Sequence, residues 1–229
     1  MPKPIGIVGC SAEGAALCYK TICIEAGELL GEHAHPEVSM HTHSLSDYVQ
    51  CLDMGDLKGV GELMLSSAQK LASIGAEVLI CPDNTIHQAF SYVSERTVVP
   101  WLHIAEVVTV AAHGRGFRRL GVLGTRWLVE SDVYPRKLAD RGLECLRPKP
   151  AEVTLVNNII MDELVCGIQH SGALASLQGV IRNLETQGCD AVVLGCTELP
   201  LVLNDANSPL PTLDSTRLLA RAALRFAIA

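Results

Sequence analysis

No apolar run in this sequence approaches the roughly 18 residues that a membrane-spanning helix requires. Positive charge is not in excess either. Lys and Arg number 18 against 25 Asp and Glu, for a formal net charge of −7. A mildly acidic chain lacks the cationic footprint of non-specific nucleic-acid binding. Gly6, Gly9 and Gly14 have the wrong spacing for a dinucleotide fingerprint, and no Gly-Lys-Ser/Thr phosphate loop occurs. No nucleotide site is expected. Met1 to Cys10 carries one lysine and lacks the apolar core and cleavage site of a signal peptide. The nine cysteines are odd in number and irregularly spaced. They form no disulfide framework and point to the reducing cytosol. Most are expected to be small, inert core thiols.

What is present is a core and a rhythm. Apolar residues make up 48% of the 229, enough for one large domain or two small ones. Ile5 to Val8 reads as a buried strand that closes on Gly9. Leu57, Val60, Met64, Ala68 and Leu71 recur at helical spacing before Gly75, and Val78 to Ile80 follows as a strand. A further strand is expected within Val98 to Leu102, then a helix over Ile104 to Ala112. Leu120 to Leu123 is strand-like and closes on Gly124. Leu174, Leu177, Ile181 and Leu184 form a helical stripe ending at Gly188, and Ala191 to Leu194 is the strand after it. Asp214 opens a last helix through Leu218, Ala222 and Phe226. Alternating strands and helices imply an α/β fold with parallel sheets.

The chain also repeats itself. Ile5-Gly-Ile-Val-Gly9 resembles Leu120-Gly-Val-Leu-Gly124, and Gly75 to Thr85 resembles Gly188 to Glu198. The spacing from Gly6 to Asp83 is 77 residues and that from Gly121 to Cys196 is 75. The simplest account is two pseudo-symmetric halves that face each other across a cleft. Each would present a turn at the C-terminal end of a strand, where ligands bind in open parallel sheets. The expected division is residues 1–98 with 208–229 for the first half and 99–207 for the second, with Pro100 near the boundary and the last helix packed back on the first half. In this register Asp83 is the counterpart of Cys196, and Cys81 is the counterpart of Leu194.

Gly195-Cys-Thr-Glu-Leu-Pro200 places a thiol directly after an apolar strand, at the expected start of a short helix. A helix N-terminus lowers a thiol's pKa and offers N–H groups to an anion. In the partner turn, Asn84 and Thr85 can hold a carboxylate or cap the next helix. Ser11 and Thr125 have the same two readings after their glycine turns. Arg126 is a candidate neutraliser of an acid group or a plain surface arginine. His33, His35, His41 and His43 cluster, but nothing completes a recognised metal-ligand spacing, so no metal is expected. His87 and His103 are candidate proton relays.

Taken together, Gly6-Ile-Val-Gly9, Trp101-Leu-His-Ile104, Gly124-Thr125 with Tyr134, Gly195-Cys-Thr-Glu-Leu-Pro200 and Asp214-Ser-Thr216 resemble the aspartate/glutamate racemase superfamily. The resemblance covers almost the whole chain. It implies a cofactor-independent enzyme without pyridoxal phosphate that moves a proton at the α-carbon of a small carboxylate or amino acid. It implies two thiols flanking that carbon. Cys196 matches one; the other position holds Asp83. Asn84, Thr85, Thr197, Ser11 and Thr125 would hold the carboxylates, with Ser44 and Ser46 where the family places binding side chains. Dimers are common in the family, so a homodimer is an expectation.

The departure at Asp83 has a chemical consequence. At reference values a carboxylate is a weaker base than a thiolate by about 4.6 pKa units, roughly 6 kcal/mol. Burial can close part of that gap. Two further readings therefore stand beside the racemase. One is a decarboxylase or isomerase with Cys196 as sole proton donor, and the other is a non-catalytic carboxylate-binding protein. Cys81 is a weaker candidate for the first thiol, two residues early with Pro82 between.

Overall fold

A computed structural model describes residues 1–229. The chain separates into two compact units, Met1–Val107 with Thr216–Ala229, and Val108–Ser215. Each is built on a four-stranded parallel sheet flanked by helices. No helix is long and apolar enough to cross a membrane.

The first unit begins with β1 (Ile5–Gly9), α1 (Ala12–Glu25), α2 (Gly27–Leu30), β2 (Val38–Thr42), α3 (Leu45–Asp53) and α4 (Leu57–Ser73). β3 (Val78–Ile80), a 3₁₀ turn at Thr85–Ala89, α5 (Phe90–Ser94), β4 (Trp101–Leu102) and α6 (Ile104–Gly114) follow. Its strand order is β2-β1-β3-β4. The second unit runs through β5 (Arg119–Leu123), α7 (Arg126–Val129), α8 (Val133–Ala139), β6 (Glu144–Leu146) and α9 (Pro150–Asn158). A π-helical turn at Ile159–Glu163 leads on to α10 (Ala173–Thr186), β7 (Ala191–Leu194) and β8 (Thr212–Asp214). Its order, β6-β5-β7-β8, repeats that of the first sheet. The last helix, α11 (Ser215–Ile228), belongs almost entirely to the first unit.

The apolar periodicities do what their spacing requires. On α4, Val60, Met64, Ala68 and Leu71 are buried, and only Leu57, at the helix start, is exposed. On α10, Leu177, Ile181 and Leu184 enter the core of the second unit beside Val192 and Leu194, with Leu174 packed at its edge. Both helices end in the same way. Gly75 (φ 98°) and Gly188 (φ 89°) take the left-handed conformation that L residues avoid. The flanking amides then bond back, Ala76 N–H to Leu71 O and Cys189 N–H to Leu184 O, in the pattern that satisfies a helix's last carbonyls. That turn feeds the chain straight into β3 and β7.

In the first unit, Ile5, Ile7, Val78 and Ile80 pack with Cys18 and Ile22 of α1 and with Leu219, Ala220, Ala223 and Ala227 of α11. The last helix therefore covers the first sheet, as its small apolar stripe suggests. Asp214 closes β8 and directly precedes that helix, which begins at Ser215. It is part of a strand because β7 lies alongside, with Leu194 and Asp214 in register. β6 and β8 are three residues each, too short to leave an alternation that a sequence reading can detect.

Candidate active site

Polar side chains collect at the C-terminal end of each sheet. In the first, Ile7 pairs with Ile80 in parallel register, so continuing both strands by three residues brings Cys10 level with Asp83. In the second, Leu123 pairs with Leu194, which sets Thr125 level with Cys196. Asp83 and Cys196 thus occupy the same position in two sheets of the same strand order.

The second-unit turn is built on backbone proximity. Gly195 N–H donates to Leu123 O at 2.8 Å, extending the ladder one step. A Cβ on Gly195 would lie 2.7 Å from that same carbonyl oxygen and 2.6 Å from Leu128 Cδ2. Only glycine permits this approach, and it delivers Cys196 immediately beyond the sheet. Cys196 is half-buried. Its Sγ donates to Glu198 Oε2 at 2.9 Å, and Thr197 Oγ1 donates to the same oxygen at 2.7 Å. Glu198 is 2% exposed. A buried carboxylate requires such donors, and here the thiol is one of them. No α-helix starts at Cys196. A 3₁₀ turn, Leu199–Leu201, begins three residues later, and one turn has too few aligned peptides to act as a helix dipole. The expected helix N-terminus is therefore replaced by a carboxylate contact. Glu198 stands in the quoted motif two residues after the thiol, but only the fold of the turn shows that its side chain returns to it.

The first-unit turn differs in chemistry. Asp83 is half-buried, and its Oδ1 accepts from Ile86 N–H at 3.2 Å. Asp83 therefore caps the 3₁₀ turn, while Asn84 makes no capping bond. Asn84 and Thr85 are both buried. Cys81 lies inside the core, and its thiol donates weakly to Asp83 O at 3.8 Å. Burial, then the nearby Asp83 charge, pushes the Cys81 thiol well above the usual range. Its full burial sets it apart from the half-buried Asp83.

His87 is fixed as a neutral brace. Its Nδ1–H donates to Asp83 O at 2.7 Å and its Nε2 accepts from Ile104 N–H at 3.3 Å. Burial, with His103 close by, holds its pKa well below the ordinary value. With both nitrogens engaged it is not a proton relay. His103 packs edge-on to His87 and Phe90, and its Nδ1 accepts from Ala105 N–H.

The remaining candidates fall into place around these turns. Ser11 caps α1 by accepting from Gly14 N–H, and Thr125 caps α7 by accepting from Leu128 N–H. Both are buried, as is Thr197. Ser46 is exposed at the start of α3, with its Oγ 2.7 Å from Ser44 Oγ. Arg126 is exposed. No three His, Cys, Asp or Glu side chains are grouped to hold a metal ion. His41 and His43 lie on or just after the edge strand β2, and His33 is on the surface beside Glu32.

Two four-stranded parallel sheets of the same strand order, each followed by a polar turn with a titratable side chain, define an α/β fold. The sequence profile of the Asp/Glu/hydantoin racemase family matches residues 6–223, and the chain belongs to that family. It is similar to the broad specificity amino-acid racemase RacX of Bacillus subtilis, with 26% identity over 69% of this chain and 68% of that protein. It is 32% identical to a glutamate racemase of Thermus thermophilus over 66% of this chain, spanning 55% of that enzyme's length. Among solved structures, an aspartate racemase homologue from Pyrococcus horikoshii superposes with a TM-score of 0.85 at 27% identity, with 100% of each chain covered. A glutamate racemase from Bacillus anthracis shares the fold at a TM-score of 0.67 and 18% identity, covering 96% of this chain and 79% of that one.

Proposed function

We propose that this protein is a cofactor-independent amino-acid racemase or epimerase whose two acid/base groups are Cys196 and Asp83. The observation that carries the reading is their equivalent place, each just beyond the central strand pair of its sheet. In the forward direction one group takes the α-proton. The C–H bond breaks, its electron pair stays on the α-carbon beside the carboxylate, and an S–H or O–H bond forms. The other group returns a proton to the opposite face. Glu198 orients the Cys196 thiol. Asn84, Thr85, Thr197, Ser11, Thr125 and Ser46 are assigned to the substrate's polar groups.

The relatives include a broad-specificity racemase and glutamate racemases, so the test uses neutral and acidic amino acids. Proton NMR in D₂O should show loss of a Cα–H signal with wild-type protein, and chiral analysis should show both enantiomers. Cys196→Ala and Asp83→Asn should each reduce exchange by at least about 10³-fold, the scale of losing a positioned acid or base. Exchange that survives Asp83→Asn would remove the asymmetric pair. Decarboxylation of a substituted malonate without amino-acid exchange would replace the racemase reading. We place the protein in a reducing, cytosolic setting, the one that nine irregularly spaced cysteines favour. The proposed homodimer is read by sedimentation.

A further inference from the structure

Gly-Cys-Ser/Thr occurs twice in the chain, as Gly9-Cys10-Ser11 and as Gly195-Cys196-Thr197. Both copies stand at the C-terminal end of a central strand, β1 in the first sheet and β7 in the second. Gly9, like Gly195, has no room for a side chain. A Cβ there would lie 2.2 Å from Thr42 Cγ2 on the neighbouring strand β2. Each glycine delivers a thiol at the end of its strand, followed by a buried hydroxyl, Ser11 or Thr197. The proposed reaction uses Cys196 and leaves Cys10 without a task.

Cys10 sits differently from the core thiols. It is 6% exposed, whereas Cys18 and Cys81 are 0%. Ser11 caps α1 by accepting from Gly14 N–H at 3.3 Å, so Cys10 stands at the N-terminal end of a 14-residue helix. That end favours a thiolate, and it is the setting that Cys196 lacks. Asp83 is level with Cys10 on the adjacent strand's path. Ile7 and Ile80 are in register, neighbouring strands lie about 4.8 Å apart, and both residues come three positions after that pair. A buried hydroxyl without a hydrogen bond, Tyr48 Oη, belongs to the same surroundings. Burial raises its pKa, and the charges of Cys81, Cys10 and Asp83 add to the rise. The acidic residue in the first turn of α1 is Glu13, which is exposed.

We propose that Cys10 is the proton partner of Asp83. In the direction in which Asp83 takes the α-proton, the new carboxyl O–H bond then breaks and an S–H bond forms on the Cys10 thiolate. Asp83 is thereby ionised again. In the reverse direction the thiol returns the proton through the carboxylate. At reference values a thiolate is the stronger base by about 4.6 pKa units, so the first unit regains the basicity that a carboxylate alone lacks. Each unit then holds one thiol and one carboxylate, Cys10 with Asp83 and Cys196 with Glu198. This role rests on Asp83 being one of the two acid/base groups.

The thiolate absorbance of Cys10 is the difference between wild type and Cys10→Ser across a pH titration. The same difference is taken in an Asp83→Asn background. A carboxylate beside a thiol disfavours the thiolate, so the Cys10 midpoint should fall by about one pH unit when Asp83 loses its charge. Cα exchange at saturation, in the direction in which Asp83 takes the proton, should fall by at least about 10²-fold in Cys10→Ser. Its rise with pH through the Cys10 midpoint should disappear, which a packing defect would not cause. Tm controls for folding, and Cys10→Ala serves the same subtraction where the serine variant is unfolded. A Cys10 midpoint that is equal in both backgrounds overturns the proposal, as does exchange in Cys10→Ser within about threefold of wild type. The titration needs no substrate. A moved midpoint in a protein that exchanges no amino-acid proton supports the Cys10–Asp83 pair while removing the racemase reading. Exchange that needs Asp83 and Cys196 but not Cys10 overturns only the pair.

Discussion

At the scale of single residues, the proposed pairing of Cys196 with Asp83 is not supplemented by the neighbouring Cys81 thiol. Cys81 is near Asp83 in sequence, but it is buried, and its proton is held by burial and by the Asp83 carbonyl. Cys196 has a carboxylate 2.9 Å away that also accepts from Thr197. Glu198→Gln keeps the shape and an acceptor oxygen but removes the charge. We expect it to lower Cα exchange by about ten- to a hundredfold, because charge-assisted hydrogen bonds are roughly twice as strong as neutral ones and orient more firmly. Glu198→Ala should cost more, since it also leaves two donors without their shared acceptor. Exchange rates at saturating substrate, with Tm as the control for folding, check both.

At the scale of elements, His87 ties the 3₁₀ turn after β3 to the first turn of α6 through one ring. The tie requires neutral imidazole, because Nε2 must accept. In the unfolded chain the ring protonates near its ordinary value of 6.5, whereas in the folded chain it does so only well below that. Between those two values the unfolded state binds more protons. Stability is therefore full above about pH 6.5 and is lost as the pH falls below it, by at most about 1.4 kcal/mol per pH unit for one group. Denaturant midpoints measured from about pH 7.5 to 5 should show a shallower decline for His87→Gln than for wild type, and taking the difference cancels other titrating groups. The same turn shows why its role was not legible in advance. The His87 spacing fits both a relay and a brace, and only the position of Ile104 N–H distinguishes them.

At the scale of the molecule, the chain's last helix completes the core of its first unit. Leu219, Ala220, Ala223 and Ala227 lie against Ile5, Ile7, Val78 and Ile80. Leu219→Ala should cost roughly 2–5 kcal/mol, the range for emptying a buried leucine site. The second unit has its own core of Leu177, Ile181, Leu184, Val192 and Leu194. Hydrogen exchange should therefore show β1 and β3 losing protection in Leu219→Ala while β5 and β7 keep theirs. Equal loss in both sheets would mean that the units do not unfold separately. The C-terminal segment Thr216–Ala229 thus decides whether the first sheet, with Asp83 at its end, persists.

The sequence by itself determined whatever depends on neighbours along the chain. Apolar spacing set α4 and α10, glycines at Gly75 and Gly188 set their ends, and the internal repeat aligned Asp83 with Cys196 before any pairing was known. These features are legible because helix periodicity, left-handed turns and strand-end glycines act within a few residues. Only the tertiary structure decided the rest. β8 is a strand because β7 lies beside it, Glu198 meets Cys196 because a tight turn folds it back, and His41 meets Ser67 because β2 and α4 are packed together. A hydrogen bond or a buried charge depends on distance in space, and Lys70, His41 and Ser67 carry no pattern in sequence that encodes it.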